Sequence, residues 1–239
     1  MKKYYQKNRI KSSPKGRKFV VGDIHGCYKT FKALIKQKIK LKKKDQLFLL
    51  GDYVYRGPES KKTLNYIIKL IKKGFKVYPL RGNHEQVLLD ATQNKKTLNW
   101  IELKNPEMLK NKNLRKKHRK FLNSLPFYYE LDNFFLVHAC FNFSVKNPFQ
   151  DTETMLWGRN FEYNSKILKG KTLIHGHQPE AFEKIAKNIE NKEKIIGLDN
   201  GVCYTKKHKY YDYTKMGKLC ALNLDTFELI VQTNLEQQN

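Results

Sequence analysis

The chain has 239 residues, with 48 basic against 22 acidic side chains and a formal charge of +26. Hydrophobic residues make up 40% and aromatic residues 13% of it, which excludes a disordered chain and allows a substantial core. Its longest apolar stretch, residues 134–141, is interrupted by His138 and far too short to cross a bilayer, and no secretory h-region follows the opening lysines, so a soluble cytoplasmic protein without membrane contact is expected.

Residues 1–18 are polar and basic, with Ser12, Ser13, Pro14 and Gly16 breaking any periodicity; they read as a loosely ordered lead-in to one domain over 19–235. Strand-like runs follow at 19–21, 46–50, 75–80, 134–137 and 172–174. Helix-like segments at 28–39 and 60–73, with apolar residues every three or four positions, separate the early ones. This alternation predicts an α/β fold with a largely parallel first sheet. The basic run 114–120 predicts a surface helix with His118 exposed, and His208 is likewise placed in solvent. Short runs at 195–198, 202–204, 219–224 and 227–231, separated by Asn-Gly and Asp-Thr turns, predict an antiparallel second sheet, with 204–211 as a surface hairpin.

The charge consists of 41 lysines and only 7 arginines, a pattern of compositional bias spread over solvated faces. A nucleic-acid surface is the weaker reading of it, although such a field speeds encounter with any anionic substrate. Four scattered cysteines (Cys27, Cys140, Cys203, Cys220) form no C-x-x-C pair and suit a reducing compartment. Cys27 and Cys140 are expected as small core residues.

The informative feature is what stands at the end of each apolar run. The first stops at Gly22-Asp23-Ile24-His25-Gly26, the second at Gly51-Asp52 followed by Tyr53-Val54-Tyr55-Arg56-Gly57, and the third at Arg81-Gly82-Asn83-His84-Glu85. Two later runs end in His138 and in His175-Gly176-His177. In an open α/β sheet the carboxyl ends of parallel strands share one edge, where ligands bind. A lone Gly-Asp is more often a turn and a lone His a satisfied rim residue. Five such clusters together outweigh that bland account. Carboxylate, imidazole and amide oxygen without thiolate suit Mn, Fe or Zn, and a central Asp52 could bridge two ions. His175, two residues before His177 on a strand, is expected to point away from them.

These strings, with His138-Ala139, Leu156-Trp157-Gly158-Arg159 and Gly176-His177 in the same order, resemble the phosphoprotein phosphatase-type serine/threonine phosphatases of the calcineurin-like metallophosphoesterase superfamily, in particular short bacterial and bacteriophage members. The resemblance covers about residues 19–231. It implies a central β-sandwich of two mixed sheets flanked by helices, with the metals at one edge. It implies two divalent ions, Mn2+ first and Fe or Zn as alternatives, with Asp23 and His25 on the first, Asp52 bridging, and Asn83, His138 and His177 on the second. Arg56 and Arg159 would hold phosphate oxygens, His84 would act as general acid, and a metal-bridging hydroxide would attack phosphorus directly. Arg81 is expected to be structural. The implied partner is a phosphorylated protein or small phosphate ester, acted on by a monomer.

The sequence departs from that family at Tyr55, where protein phosphatases carry the Asp that orients the general-acid histidine. Tyr55 could offer its hydroxyl as an acceptor but no carboxylate. Symmetrical diadenosine tetraphosphatases also lack that Asp and carry Pro after Arg-Gly, as Pro58 does here. Against this, Glu85-Gln86 and the tail 219–225 resemble bacterial protein phosphatases. The expectation is therefore a serine/threonine protein phosphatase. A symmetrical dinucleoside tetraphosphatase is the alternative, and a catalytically weakened anion- or nucleic-acid-binding relative the third reading.

Overall fold

The computed structural model describes residues 8–11, 15–91, 99, 108–110, 113–206 and 211–236. Two sheets face each other. The first holds β1 (Lys18–Val21), β2 (Gln46–Leu49) and β3 (Lys76–Pro79) in parallel. A small hairpin, β4 (Leu109–Lys110) with β5 (Asn113–Leu114), stands apart. The second sheet is β6 (Tyr128–Glu130), β7 (Phe134–Val137), β8 (Thr172–His175) and β9 (Ile195–Gly197), with β7, β8 and β9 parallel and β6 antiparallel at its edge. β10 (Asp199–Asn200), β11 (Lys218–Asn223) and β12 (Leu229–Thr233) complete the first sheet, β11 lying antiparallel to β1.

The expected antiparallel second sheet of C-terminal strands is thus not what forms. Ile195–Gly197 joins β8 in parallel, residues 202–204 form a turn, and the two last strands extend the first sheet. The reason is burial on both faces. Leu219 and Ala221 enter the core beneath the helices, whereas Cys220 and Leu222 enter the core between the sheets. A strand buried on both sides belongs inside a sandwich, beside the equally buried β1.

β1 and β2 obey the same alternation. Phe19, Val21, Leu47 and Leu49 face the helices; Val20, Phe48 and Leu50 meet Leu136, Ile174 and Ile196 of the second sheet. The far face of the second sheet packs Phe135, Val137 and Leu173 against Phe141, Met155 and Leu168. The helical cover of the first sheet comes from α1 (Tyr28–Ala33), which continues as a π turn at Leu34–Lys38, and from α2 (Ser60–Lys72). α3 (Asn83–Asp90) starts at the third motif, and α4 (Lys116–Asn123) lies against it. α5 (Thr152–Trp157) and α6 (Phe182–Glu190) follow, with Ile185 and Ile189 sealing the inter-sheet core. Cys27 and Cys140 are buried as expected. No helix among the described residues is long and apolar enough to cross a membrane.

His118 departs from expectation. It is fully buried, because His118 and Leu122 share the inward face of α4, and its Nε2 lies 3.0 Å from Asn65 Oδ1. Burial, aided by Lys117 and Arg115, pushes its pKa down to about 4. An unfolded chain takes up a proton near pH 6.5 that the folded one refuses, so this stability is complete above pH 6.5 and is lost as pH falls toward 4. His118→Gln, which keeps a donor toward Asn65 but cannot titrate, should give a shallower fall in Tm between pH 6.5 and 4. Parallel curves would contradict this. His208 lies outside the described residues, as do 207–210 of the expected hairpin and most of the lead-in.

Candidate active site

The parallel strands of both sheets end at the same edge, and backbone bonds lace their terminal loops together. The N–H groups of Ile24 and His25 both donate to the Asp52 carbonyl, at 3.1 and 2.7 Å, and Gly176 N–H donates to the His138 carbonyl at 2.9 Å. His25, Asp52, Tyr55, Arg56 and His177 all have positive φ, between 46° and 72°. Such left-handed turns are costly for side chains other than Gly or Asn, and here they aim five site side chains off their strand ends. Two glycines lie directly against the carboxylates of the cluster. A Cβ on Gly82 would stand 2.2 Å from Asp52 Oδ1, and one on Gly176 would stand 2.0 Å from Asp23 Oδ1.

All six expected metal-ligating side chains meet in this cluster. Asp52 Oδ2 lies 3.6 Å from His25 Nε2, and its Oδ1 lies 3.5 Å from His138 Nε2. Asn83, at the first position of α3, sets its Oδ1 2.9 Å from His138 Nε2 and 3.2 Å from His177 Nδ1. The Leu50 carbonyl lies 3.0 Å from His138 Nδ1 and can accept that nitrogen's N–H, the tautomer that leaves the Nε2 lone pair for a metal. Asp23 Oδ2 accepts the His177 N–H at 3.0 Å, while its Oδ1 is buried without a hydrogen-bond partner. Two trios have ligand atoms mutually within 4.8 Å, His25–Asp52–His84 and Asp23–Asp52–His138, and Asp52 belongs to both.

The electrostatics point the same way. Burial, then the neighbouring Asp199 and Asp52 charges, drives the Asp23 pKa well up; burial and Glu85 do the same to Asp52. Burial holds His25 and His138 well below the ordinary imidazole range, and His177 down at about 4. Crowded buried carboxylates facing neutral imidazoles need a counter-charge, and their hard and borderline donor atoms fit a pair of divalent cations.

Arg56, Arg159 and His84, the residues expected to face the substrate, line the same cleft as this cluster. Arg56 and Arg159 are exposed on its walls, and His84 sits with its Nε2 3.8 Å from Asp52 Oδ2. Burial and the Arg56 charge push the His84 pKa down to about 3. The Tyr55 ring stacks flat on the His84 imidazole, with centroids 5.0 Å apart at 21°. His175 points away as expected and stacks on Phe161 at 4.0 Å. Arg81 is structural: it donates to Gln86 and to the Leu122 and Asn123 carbonyls.

Sequence reasoning missed two carboxylates. Asp199, buried in the cleft and with its pKa raised to about 6 by burial, ends the run 195–198 as Asp23 ends its own; the following Asn200-Gly201 made it read as a turn. Glu85 is buried and accepts the N–H groups of Asp52 (2.8 Å), Tyr53 (2.8 Å) and Gly82 (2.9 Å), clamping the second motif loop to the start of α3.

Residues 17–216 match the family model for calcineurin-like phosphoesterase, and the chain belongs to that family. Among curated relatives, it is 31% identical over 188 residues to the symmetrical bis(5'-nucleosyl)-tetraphosphatase of Vibrio campbellii, covering 76% of this chain and 62% of that protein. The protein of the same name from Psychromonas ingrahamii is 26% identical over 202 residues, covering 74% of this chain and 63% of that one. The chain therefore spans less than two thirds of these relatives' lengths. Two solved structures share the fold: a candidate diadenosine tetraphosphatase (TM-score 0.69, 19% identity, 96% of this chain and 99% of that one) and a Saccharomyces cerevisiae serine/threonine phosphatase (TM-score 0.63, 17% identity, 99% and 86%). The expected β-sandwich metallophosphoesterase fold is therefore present. The relatives' names side with the dinucleoside tetraphosphatase alternative rather than with the protein phosphatase expected first.

Proposed function

We propose that this chain hydrolyses dinucleoside tetraphosphates symmetrically, with two nucleoside diphosphates as products. Asp23, His25, Asp52, Asn83, His138 and His177 would hold two divalent cations, with Mn2+ the first candidate. Such a pair supplies Lewis-acid activation of water and charge neutralisation at phosphorus. Arg56 and Arg159 clamp phosphate oxygens with planar, charge-assisted hydrogen bonds. The new bond is from water oxygen to phosphorus, and the bond that breaks is the central phosphoanhydride, whose oxygen leaves on a nucleoside diphosphate.

The observation that carries this reading is the Tyr55–His84 stack. A serine alkoxide must be protonated as it leaves, and the histidine that would do so has an aromatic face where protein phosphatases have a carboxylate. A nucleoside diphosphate leaves as a stable anion and needs no such help. One feature that favoured a protein phosphatase, Glu85-Gln86, has a local explanation: Glu85 clamps a loop, and Gln86 bridges Arg81 and Asp90.

Turnover with Mn2+ on diadenosine tetraphosphate, a phosphoserine peptide and an aryl phosphate, side by side, tests this. The tetraphosphate should give ADP as its sole nucleotide and exceed the phosphopeptide in kcat/KM by about 10²-fold, the lower end of what a general acid contributes. Preference for the phosphopeptide, or ATP plus AMP as products, would overturn it. A related expectation concerns Tyr55→Asp, which suits the positive φ of 71° and restores a carboxylate beside His84. It should raise kcat on the phosphopeptide by about tenfold while changing the tetraphosphate little. Equal effects on both would show that His84 does not depend on this position.

A further inference from the structure

We propose that Tyr211, backed by Tyr204, is the platform on which the nucleobase of the substrate stacks. The proposal rests on the reading of the chain as a dinucleoside tetraphosphatase and adds the element that distinguishes a nucleotide from a bare polyphosphate. The two rings pack tilted against each other, with centroids 4.8 Å apart and planes at 31°, and both line the cleft that holds Arg56 and His177. Tyr204 is only 9% exposed, whereas Tyr211 is half-buried and the more accessible of the two.

The platform is anchored from below. Gly201 has a φ of +56°, and a Cβ there would stand 2.4 Å from Tyr204 Cδ2, so the Tyr204 ring lies directly on this backbone. Asp199 Oδ1 holds the Gly201 N–H at 2.7 Å, tying that turn to the buried acid cluster. Tyr204 also meets Arg56: the guanidinium carbon is 5.3 Å from the ring centroid, and Nη1 donates to Tyr204 Oη. Acid cluster, arginine and aromatic pair therefore follow one another along the cleft. A nucleoside diphosphate presents its parts in the same order, with phosphoryl groups first and base last. Aromatic stacking on a base is sequence-tolerant, because every base has a π-face, so this platform recognises nucleobases as a class rather than adenine alone.

The test is binding, separate from turnover. The probes are the methylene-bridged analogue of ADP and methylenediphosphonate, titrated calorimetrically with Mn2+ present. The natural protein should bind the nucleotide analogue about tenfold more tightly than the diphosphonate, the scale of one stacked base. Tyr211→Ala should erase most of that ratio, and Tyr211→Phe should keep it. A natural protein that binds both probes equally would overturn the proposal. So would a Tyr211→Ala ratio equal to the natural one, or a Phe variant as impaired as the Ala variant. Preference for the nucleotide probe in a protein that cleaves only phosphopeptides would refute the tetraphosphatase reading and leave the platform standing. Equal binding in a protein that cleaves diadenosine tetraphosphate would refute the platform alone.

Discussion

Asp52→Asn is expected to lower phosphoester turnover by at least about a thousandfold, because the variant would lose a carboxylate shared by both cations of the expected pair. Asp52 is the one residue common to both ligand trios, 3.6 Å from His25 and 3.5 Å from His138 through different oxygens. Replacing it by Asn removes the charge that would let one carboxylate serve two cations. Asn is the right replacement because the residue has a φ of 50°, which Asn tolerates and Ala does not. The metal-free protein should not suffer: burial and the nearby Glu85 already push the Asp52 pKa well up, so a neutral isostere relieves repulsion. Activity and stability should separate, with kcat collapsing while the Tm of the metal-free variant stays at or above that of the natural protein. Near-natural turnover would show that Asp52 does not bridge.

Glu85→Gln is expected to weaken Mn2+ binding by about 10–100-fold, the usual loss when a group that orients metal ligands is changed. Glu85 touches no expected metal ligand by its side chain except through backbone: it accepts the N–H of Asp52 and those of Tyr53 and Gly82. Gln presents an NH2 where at least one of these donors needs an acceptor. That strands a buried N–H at a cost of about 1–3 kcal/mol and releases the turn that aims Asp52. Calorimetric Mn2+ titration reads the effect without any substrate. Natural affinity with only a lowered Tm would make Glu85 a stability element and nothing more.

The strand ends were legible because two signals coincided there. An apolar run marks β1, β2, β3, β7 and β8, and each gives way within two residues to a Gly beside Asp, Asn or His, or directly to a His. Asp23, His25, Asp52, Asn83, His138 and His177 were all visible in this way, and the structure brings all six together. Asp199 carried the same signal but was masked by Asn200-Gly201, whose turn propensity is a complete local explanation. Sheet membership was not legible for β11. Periodicity reports which residues are apolar, and Leu219 to Leu222 are apolar or small on both faces, so nothing local says which neighbour the strand pairs with. His118 was misplaced because the basic run around it was read as composition, whereas the spacing to Leu122 puts both on the buried face of α4. The Tyr55–His84 stack was out of reach for a different reason: residue type showed that a carboxylate was missing, and only geometry showed an aromatic face in its place.

The most direct test of the whole account is metal stoichiometry measured by equilibrium dialysis against Mn2+, with elemental analysis of the natural protein and of Asp52→Asn. Two ions per chain are expected in the natural protein and clearly fewer in the variant. No uptake by the natural protein, or a second ion held equally well by both, would contradict it.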